Sequence, residues 1–360
     1  MHVTDSLVIG AGQAGLSASY HLKRLGLDHV VLDANPQPGG AWQHRWDSLT
    51  MLDVHGVADL PDGPAPGRVD DRANNVIPTW FGDYERAHDL PVVRPVRVDR
   101  VESAGDLLVV RAGEHAWTTR TLVNATGTWT QPFVPYYPGA ETFRGEQLHT
   151  VDYPGPEHFD GKRVLVVGGG ASAVQFLGEL APRTAVVWVT RREPVWRQDW
   201  DEHAGRDAIT LVERRVRAGL PPASVVSVTG LGLRPQEQEA ARLGVYDARR
   251  PMFDRIEPDG VRWADPTGSG AAFEPVDVIL WATGFRPAVS HLAPLHLRSP
   301  HGGIALLSVG RDVQTAVTAA ADPRVQLVGY GPSASTIGGN RAGRAAATAV
   351  RGFLRRTLAA

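Results

Sequence analysis

Near its start the chain alternates short apolar runs with one amphipathic stretch. Ser6-Leu7-Val8-Ile9 reads as a buried strand, Ala14 to Leu25 carries apolar residues at helical spacing and stops at Gly26, and His29-Val30-Val31-Leu32 is a second strand. The plan returns later as Arg163-Val164-Leu165-Val166-Val167, Ala171 to Ala181, and Ala185-Val186-Val187-Trp188-Val189. Strand, helix, strand repeated in this order predicts α/β architecture with two dinucleotide-binding units, each on a parallel sheet. Between the repeats, Leu60 to Pro78 is rich in Pro, Gly and Asp and reads as a surface excursion, and Trp80 to His88 as a short helix. Val96 to Val101, Leu107 to Arg111 and Trp117 to Val123 then read as a β-meander. Val325 to Gly329 is expected as a last strand and Ile337 to Leu358 as a closing helix. The pattern is weakest over Trp196 to Met252, where Trp196 and Trp200 are expected to pack in a core.

Each repeat has a glycine turn between its first strand and its helix: Gly10-Ala11-Gly12-Gln13-Ala14-Gly15 and Gly168-Gly169-Gly170-Ala171-Ser172-Ala173. The first glycine permits the bend, the second lets backbone N–H groups reach a pyrophosphate, and the third small residue lets helix pack on strand. At the same distance beyond the first glycine, one copy has Asp33 and the other Arg191 followed by Arg192. A carboxylate there accepts hydrogen bonds from a ribose diol, whereas a guanidinium matches the 2′-phosphate that separates NADP from NAD. The first turn therefore suits FAD and the second NADPH. Two apolar strands also end alike, at Ala125-Thr126-Gly127 and Ala282-Thr283-Gly284, as expected where a chain crosses between two domains and back.

Composition narrows the chemistry. With no cysteine, the chain cannot pass electrons to a dithiol or ligate an iron–sulfur cluster through its own thiolates. The 13 histidines include no HExxH and no clustered carboxylate spacing, so no metal site is expected. A net charge of -2 leaves no footprint for nucleic acid, and the preference for arginine, with Lys23 and Lys162 the only lysines, reads as genome composition. A first strand beginning near Ser6 leaves no room for a secretory signal, and no apolar run approaches a membrane span, so a cytoplasmic protein is expected.

The segment Phe143-Arg144-Gly145-Glu146-Gln147-Leu148-His149-Thr150-Val151-Asp152-Tyr153 resembles the FxGxxxHxxx-aromatic fingerprint of flavin-containing and Baeyer–Villiger monooxygenases. It lies between the first Ala-Thr-Gly and the second glycine turn, where that family carries it. Tyr153 in the last position is similar to the flavin-containing branch, and the size of the chain to its short bacterial members. The resemblance implies an FAD domain over 1–152 and 284–360, interrupted by an NADPH domain over 153–283. It implies hydride transfer from NADPH to FAD and addition of dioxygen at the flavin C4a. The oxygen is then delivered to sulfur, nitrogen or a ketone of a small-molecule substrate. The alternative is a flavin oxidoreductase that passes electrons to a quinone, ferredoxin or oxygen. Dioxygen and the substrate are the expected partners, with a homodimer left open.

On this reading FAD meets Gly10, Gly12, Gln13, Ala14, Gly15, Asp33, Gly40, Trp42, Trp46, Val98, Thr126, Gly127 and Ile337. NADPH meets Gly168, Gly170, Ala171, Ser172, Ala173, Arg191, Arg192, Thr283 and Gly284. Many relatives place an asparagine near C4a after the Gly-Gly-x-Trp turn, but here Trp46 to His55 contains none. Either Asp53 or His55 is the expected substitute, or the peroxide is poorly held and leaks as H₂O₂. His149 is expected to link the domains and not to act as acid or base.

Overall fold

The computed structural model describes residues 2–54, 57–196, 212–222, 231–265, 271–308 and 315–358. Its first sheet is built on β1 (Val3–Ile9), with β2 (His29–Leu32) parallel on one side and β6 (His115–Asn124) parallel on the other. Beyond β2 lies β3 (Val92–Val93), and beyond β6 lies β17 (Val325–Leu327), both parallel. Short antiparallel strands β16 (Thr318–Ala319) and β15 (Leu306–Leu307) close that edge. Helix α1 (Gln13–Arg24) follows β1, as its apolar spacing predicts. The meander forms from β4 (Arg100–Ala104) and β5 (Leu107–Ala112), with β5 antiparallel to the first half of β6. The first meander strand lies later than expected, because Ala104 pairs with Leu107 across a turn at Gly105, whose φ is +61°, and that turn sets the register. Val98 therefore lies outside the sheet, where it packs beside the core that holds Leu7 and Ile9.

Helix α2 (Ala73–Ala87) starts inside the stretch expected as a surface excursion. Pro78 made a helix unattractive there, yet Ala73, Ile77, Phe81 and Tyr84 form one buried stripe, and that burial outweighs one missing N–H donor.

The second sheet is parallel throughout, in the order β10-β9-β8-β14-β7. It comprises β7 (Glu146–His149), β8 (Arg163–Val167), β9 (Ala185–Thr190), β10 (Arg250–Pro251) and β14 (Val278–Trp281). Helix α3 (Ala171–Leu180) follows β8, and α4 (Pro235–Arg242) packs on it. A small antiparallel sheet of β11 (Arg255–Glu257), β12 (Gly260–Arg262) and β13 (Phe273–Pro275) covers the outer face. Because β7 pairs with β14, the fingerprint strand belongs to the second sheet, and the first sheet gives way upstream of residue 152. Trp196 sets its ring against Tyr246 and Trp188 but stays 39% exposed, so it caps a core edge and does not fill it. Trp200 lies outside the described residues.

The closing helix α5 (Thr336–Leu358) returns to the first unit and crosses α1 at close range. A Cβ on Gly343 would sit 2.7 Å from the Ala18 backbone nitrogen, so only glycine allows that approach. Among the described residues no helix is long and apolar enough to cross a membrane.

Candidate dinucleotide sites and the domain crossing

The first glycine loop is shaped by contacts that admit no side chains. Gly10 has a φ of +100°, and a Cβ there would lie 2.7 Å from the Ala125 carbonyl oxygen. A Cβ on Gly15 would lie 1.9 Å from the Gly10 carbonyl oxygen. Gly12 differs, for the nearest atom to its Cβ position is Gly40 Cα at 3.9 Å, so its face is open. Helix α1 starts there without a side-chain cap and without an acidic residue in its first turn, leaving the N–H groups around Gln13, Ala14 and Gly15 to an anion. Gly339 of α5 sits against Ala14. Ile337 lies in the first turn of α5, and its side chain is outside the described residues.

Asp33 is buried at the end of β2. Its Oδ2 accepts the Ala11 N–H at 2.9 Å and its Oδ1 the Asn35 N–H at 2.8 Å. Asn35 Nδ2 also donates to Oδ1, at 3.0 Å, so one carboxylate braces the glycine loop and keeps a lone pair on Oδ2 for a ribose hydroxyl. Arg94, which the sequence pattern did not single out, lies 3.8 Å from Asp33 and forks onto Glu85 at 2.6 and 2.8 Å. Gln13 donates its amide to the Ala58 carbonyl, whereas Gln13 Oε1 and Asn340 Oδ1 are buried and, among the described residues, without partners. Orphaned acceptors beside an open glycine and an uncapped helix fit a bound molecule rich in hydroxyl and N–H donors, as a flavin dinucleotide is.

The second loop repeats the geometry. Gly168 has a φ of +141° and presses on the Ala282 carbonyl, Gly170 faces open space, and Ala173 is buried in the third position. Helix α3 begins at Ala171 and Ser172 with neither cap nor acid in its first turn. At the end of β9, Arg191 and Arg192 are exposed and, among the described residues, neither has a carboxylate within ion-pair distance. A third cation escaped the sequence reading because it is remote in the chain. Arg249 precedes β10, which pairs with β9, and its guanidinium lies 3.1 Å from Thr190 Oγ1 and 3.3 Å from Glu193. Arg191 and Arg192, without an acidic partner among the described residues and beside an uncapped helix, fit a dinucleotide with an additional phosphate.

The two Ala-Thr-Gly ends meet. Thr126 donates to the Ala288 carbonyl at 2.6 Å, Ala288 N–H to Gly127 at 2.9 Å, Arg286 N–H to Gln131 at 2.8 Å and Phe133 N–H to Gly284 at 3.0 Å. Thr283 donates to the Phe133 carbonyl. The outgoing and returning strands thus zip together into one antiparallel crossing. His149 is tied to it: its Nε2–H donates to the Gly284 carbonyl at 3.0 Å, while Asp152 accepts the His149 backbone N–H. Burial holds this histidine below its ordinary pKa, consistent with a neutral linking role. Phe285 stacks on Trp129 at 5.1 Å, and Arg45, largely buried, lies over Trp129 and Trp42 at 4.5 and 5.4 Å. Burial lowers the Arg45 pKa to about 10. The sequence reading missed Arg45, since nothing in the chain order brings Trp129 to it.

A buried chain steadies the crossing from below. His291 Nε2–H donates to Asn124 Oδ1 at 2.6 Å, and Asn124 Nδ2 donates to Thr126 Oγ1 at 3.0 Å. Burial pushes the His291 pKa down to about 4. The imidazole is neutral in both folded and unfolded chains above its ordinary value near 6.5, so it imposes no pH dependence there. As pH falls from 6.5 to 4 only the unfolded chain takes up this proton, so stability declines by roughly 3 kcal/mol and then levels off. Melting curves between pH 7 and 4 are expected to show that decline, and His291→Gln to flatten it. An unchanged slope in the variant would refute the assignment.

The remaining expected residues separate. Trp42 is half-buried at the Arg45 stack, but Trp46 turns its indole to the second unit, bonding Glu179 and packing on Phe176 at 4.9 Å. Asp53 accepts the Thr50 hydroxyl at 2.7 Å. His55 lies outside the described residues.

Two uncapped glycine loops, each following a strand paired in parallel with its neighbours and joined by a paired crossing, define a protein built to hold two dinucleotides. The family model for pyridine nucleotide-disulphide oxidoreductases matches residues 7–219. The solved flavin-containing monooxygenase from Stenotrophomonas maltophilia is 36% identical, with a TM-score of 0.81, covering 98% of this chain and 100% of that one. The chain belongs to the pyridine nucleotide-disulphide oxidoreductase family and, within it, to the flavin-containing monooxygenases. The uncharacterized oxidoreductase CzcO of Bacillus velezensis is 28% identical over 200 residues, 54% of this chain and 57% of that relative, so the match spans little more than half its length. The ferredoxin–NADP reductase of Thermus thermophilus is 29% identical over 301 residues, 81% of this chain and 75% of the reductase. Without cysteine, the chain has no dithiol for the chemistry in its family's name.

Proposed function

We propose that this protein is an FAD-dependent, NADPH-consuming monooxygenase acting on a small organic molecule at sulfur, nitrogen or a ketone. The observation that carries it is the opposite charge at the ends of two otherwise equivalent loops, Asp33 on one and Arg191 with Arg192 on the other. Bound FAD supplies hydride acceptance and oxygen activation; the chain supplies orientation and a dry site. Gly10, Gly12 and Gly15 with the start of α1 hold the flavin nucleotide's pyrophosphate, and Asp33 its ribose. Gly168, Gly170 and Ala173 with the start of α3 hold that of NADPH, and Arg191, Arg192 and Arg249 the 2′-phosphate. Trp42 walls the flavin, and Thr126, Gly127, Thr283 and Gly284 bring the crossing close to both ligands. Asp53 or His55 is the polar group that stands in for the asparagine of related enzymes.

The test is oxygen consumption with NADPH against a panel of sulfides, amines and ketones under labelled dioxygen. One labelled oxygen per product molecule supports the proposal. The likeness to a ferredoxin–NADP reductase favours a second reading, electron transfer to an external acceptor. Rapid reduction of a quinone or ferredoxin, with no label in any product, would establish that reading instead.

A further inference from the structure

The stretch after the Gly39–Gly40 turn is held from both sides: Arg72 and Asn74 of its own unit bond Asp47, and the Met51 and Ala73 N–H groups bond the Asp71 and Leu49 carbonyls, while the second unit grips it through α3. Three donors from two separate segments converge on one carboxylate of α3. Trp46 Nε1–H reaches Glu179 Oε1 at 3.0 Å, while the Ser48 hydroxyl and the Tyr153 phenol reach Oε2 at 2.7 and 2.9 Å. One turn earlier on the same helix face, Gln175 Nε2 donates to the Asp53 carbonyl at 3.1 Å. Phe176 fills the space between, 4.9 Å from Trp46 and 4.3 Å from Tyr153. Among the described residues Glu179 has no cationic partner, and burial moves its pKa upward against the pull of the three hydrogen bonds. The same helix opens at Gly170, so roughly 15 Å of rigid backbone carries the second dinucleotide loop at one end and the grip on residues 46–54 along its side.

We propose that Glu179 is a positioning residue that fixes residues 46–54 of the first unit onto the coenzyme unit, and so sets how much NADPH oxidation ends in substrate oxygenation. This rests on the monooxygenase reading above. When residues 46–54 are loose, water enters beside the flavin and turnover runs uncoupled, NADPH + H⁺ + O₂ giving NADP⁺ + H₂O₂. What matters is the acceptor geometry and not the charge. An indole N–H can only donate, whereas the two hydroxyls can also accept. Glutamine in place of Glu179 can therefore take Trp46 on its oxygen and donate its amide to Ser48 and Tyr153; leucine leaves the indole N–H orphaned.

The experiment compares wild type, Glu179→Gln and Glu179→Leu as FAD-loaded proteins. Three quantities are read: amide hydrogen exchange over residues 46–54 without coenzyme, the share of NADPH oxidation appearing as peroxide in the presence of a sulfide, and the anaerobic rate of flavin reduction by NADPH. In Glu179→Leu, exchange over 46–54 is expected to quicken about tenfold or more and the peroxide share to rise severalfold, with flavin reduction within about twofold of wild type. Glu179→Gln is expected to follow wild type. Unchanged exchange in Glu179→Leu overturns the proposal, and so does a glutamine variant that behaves like leucine. If Glu179→Leu does not load FAD, Ser48→Ala replaces it, with faster exchange over 46–54 supporting the grip and unchanged exchange opposing it. A wild-type protein that never labels product refutes the monooxygenase reading alone, because the exchange comparison still tests the grip.

Discussion

Gly15→Ala is expected to yield protein that purifies with little or no FAD and melts several degrees lower, although it adds a single methyl group. The Cβ would lie 1.9 Å from the Gly10 carbonyl oxygen, 3.0 Å from the Gly10 carbonyl carbon and 3.3 Å from Ala125 Cβ. Two of those atoms are backbone, and Gly10 cannot retreat because it already presses on Ala125. Helix α1 must therefore lift from β1, at a cost on the order of 3 kcal/mol, and the N–H groups aimed at the pyrophosphate move with it. A flavin-quenching titration measures the loss directly; wild-type affinity in the variant would refute this account of the loop. The second loop provides an internal control. Ala173 occupies the matching position, fully buried, so Ala173→Gly is expected to shift NADPH affinity by no more than about twofold.

Replacing Arg191 and Arg192 together by alanine is expected to remove most of the preference for NADPH over NADH, leaving only what Arg249 contributes. A charge-assisted, forked contact to the 2′-phosphate contributes roughly 2 kcal/mol, or about thirtyfold in relative kcat/KM, and NADH makes no such contact. Both side chains are exposed, so the preference should shrink as ionic strength rises. Arg249→Ala is expected to have a smaller effect, because part of its charge already serves Glu193 at 3.3 Å. Equal efficiency of both coenzymes in the wild type would show that the arginines are solvated and hold nothing.

Much of the site was legible because its geometry is local. A positive φ at Gly10 and Gly168, an uncapped helix start and an acid or base at the next strand tip each depend on residues close in the chain. Helix α2 was only partly legible, since Pro78 masked a stripe whose value comes from burial. Arg249 and Arg45 were not legible at all. One is brought to Thr190 by strand pairing between β10 and β9, the other to Trp129 by a loop closing on the crossing.

Taken alone, the order of residues determined the α/β class, two glycine loops of opposite terminal charge, the exclusion of dithiol chemistry and the fingerprint at Phe143 to Tyr153. The tertiary structure alone decided that β7 joins the second sheet, that the two Ala-Thr-Gly ends zip together, and that Trp46 and Ser48 answer to Glu179 on the far side of the crossing. The physical reason is reach: phosphate-binding turns are set by dihedral angles and neighbours within a few residues, whereas a buried carboxylate is satisfied by whichever donors the packing of two sheets brings within hydrogen-bond distance.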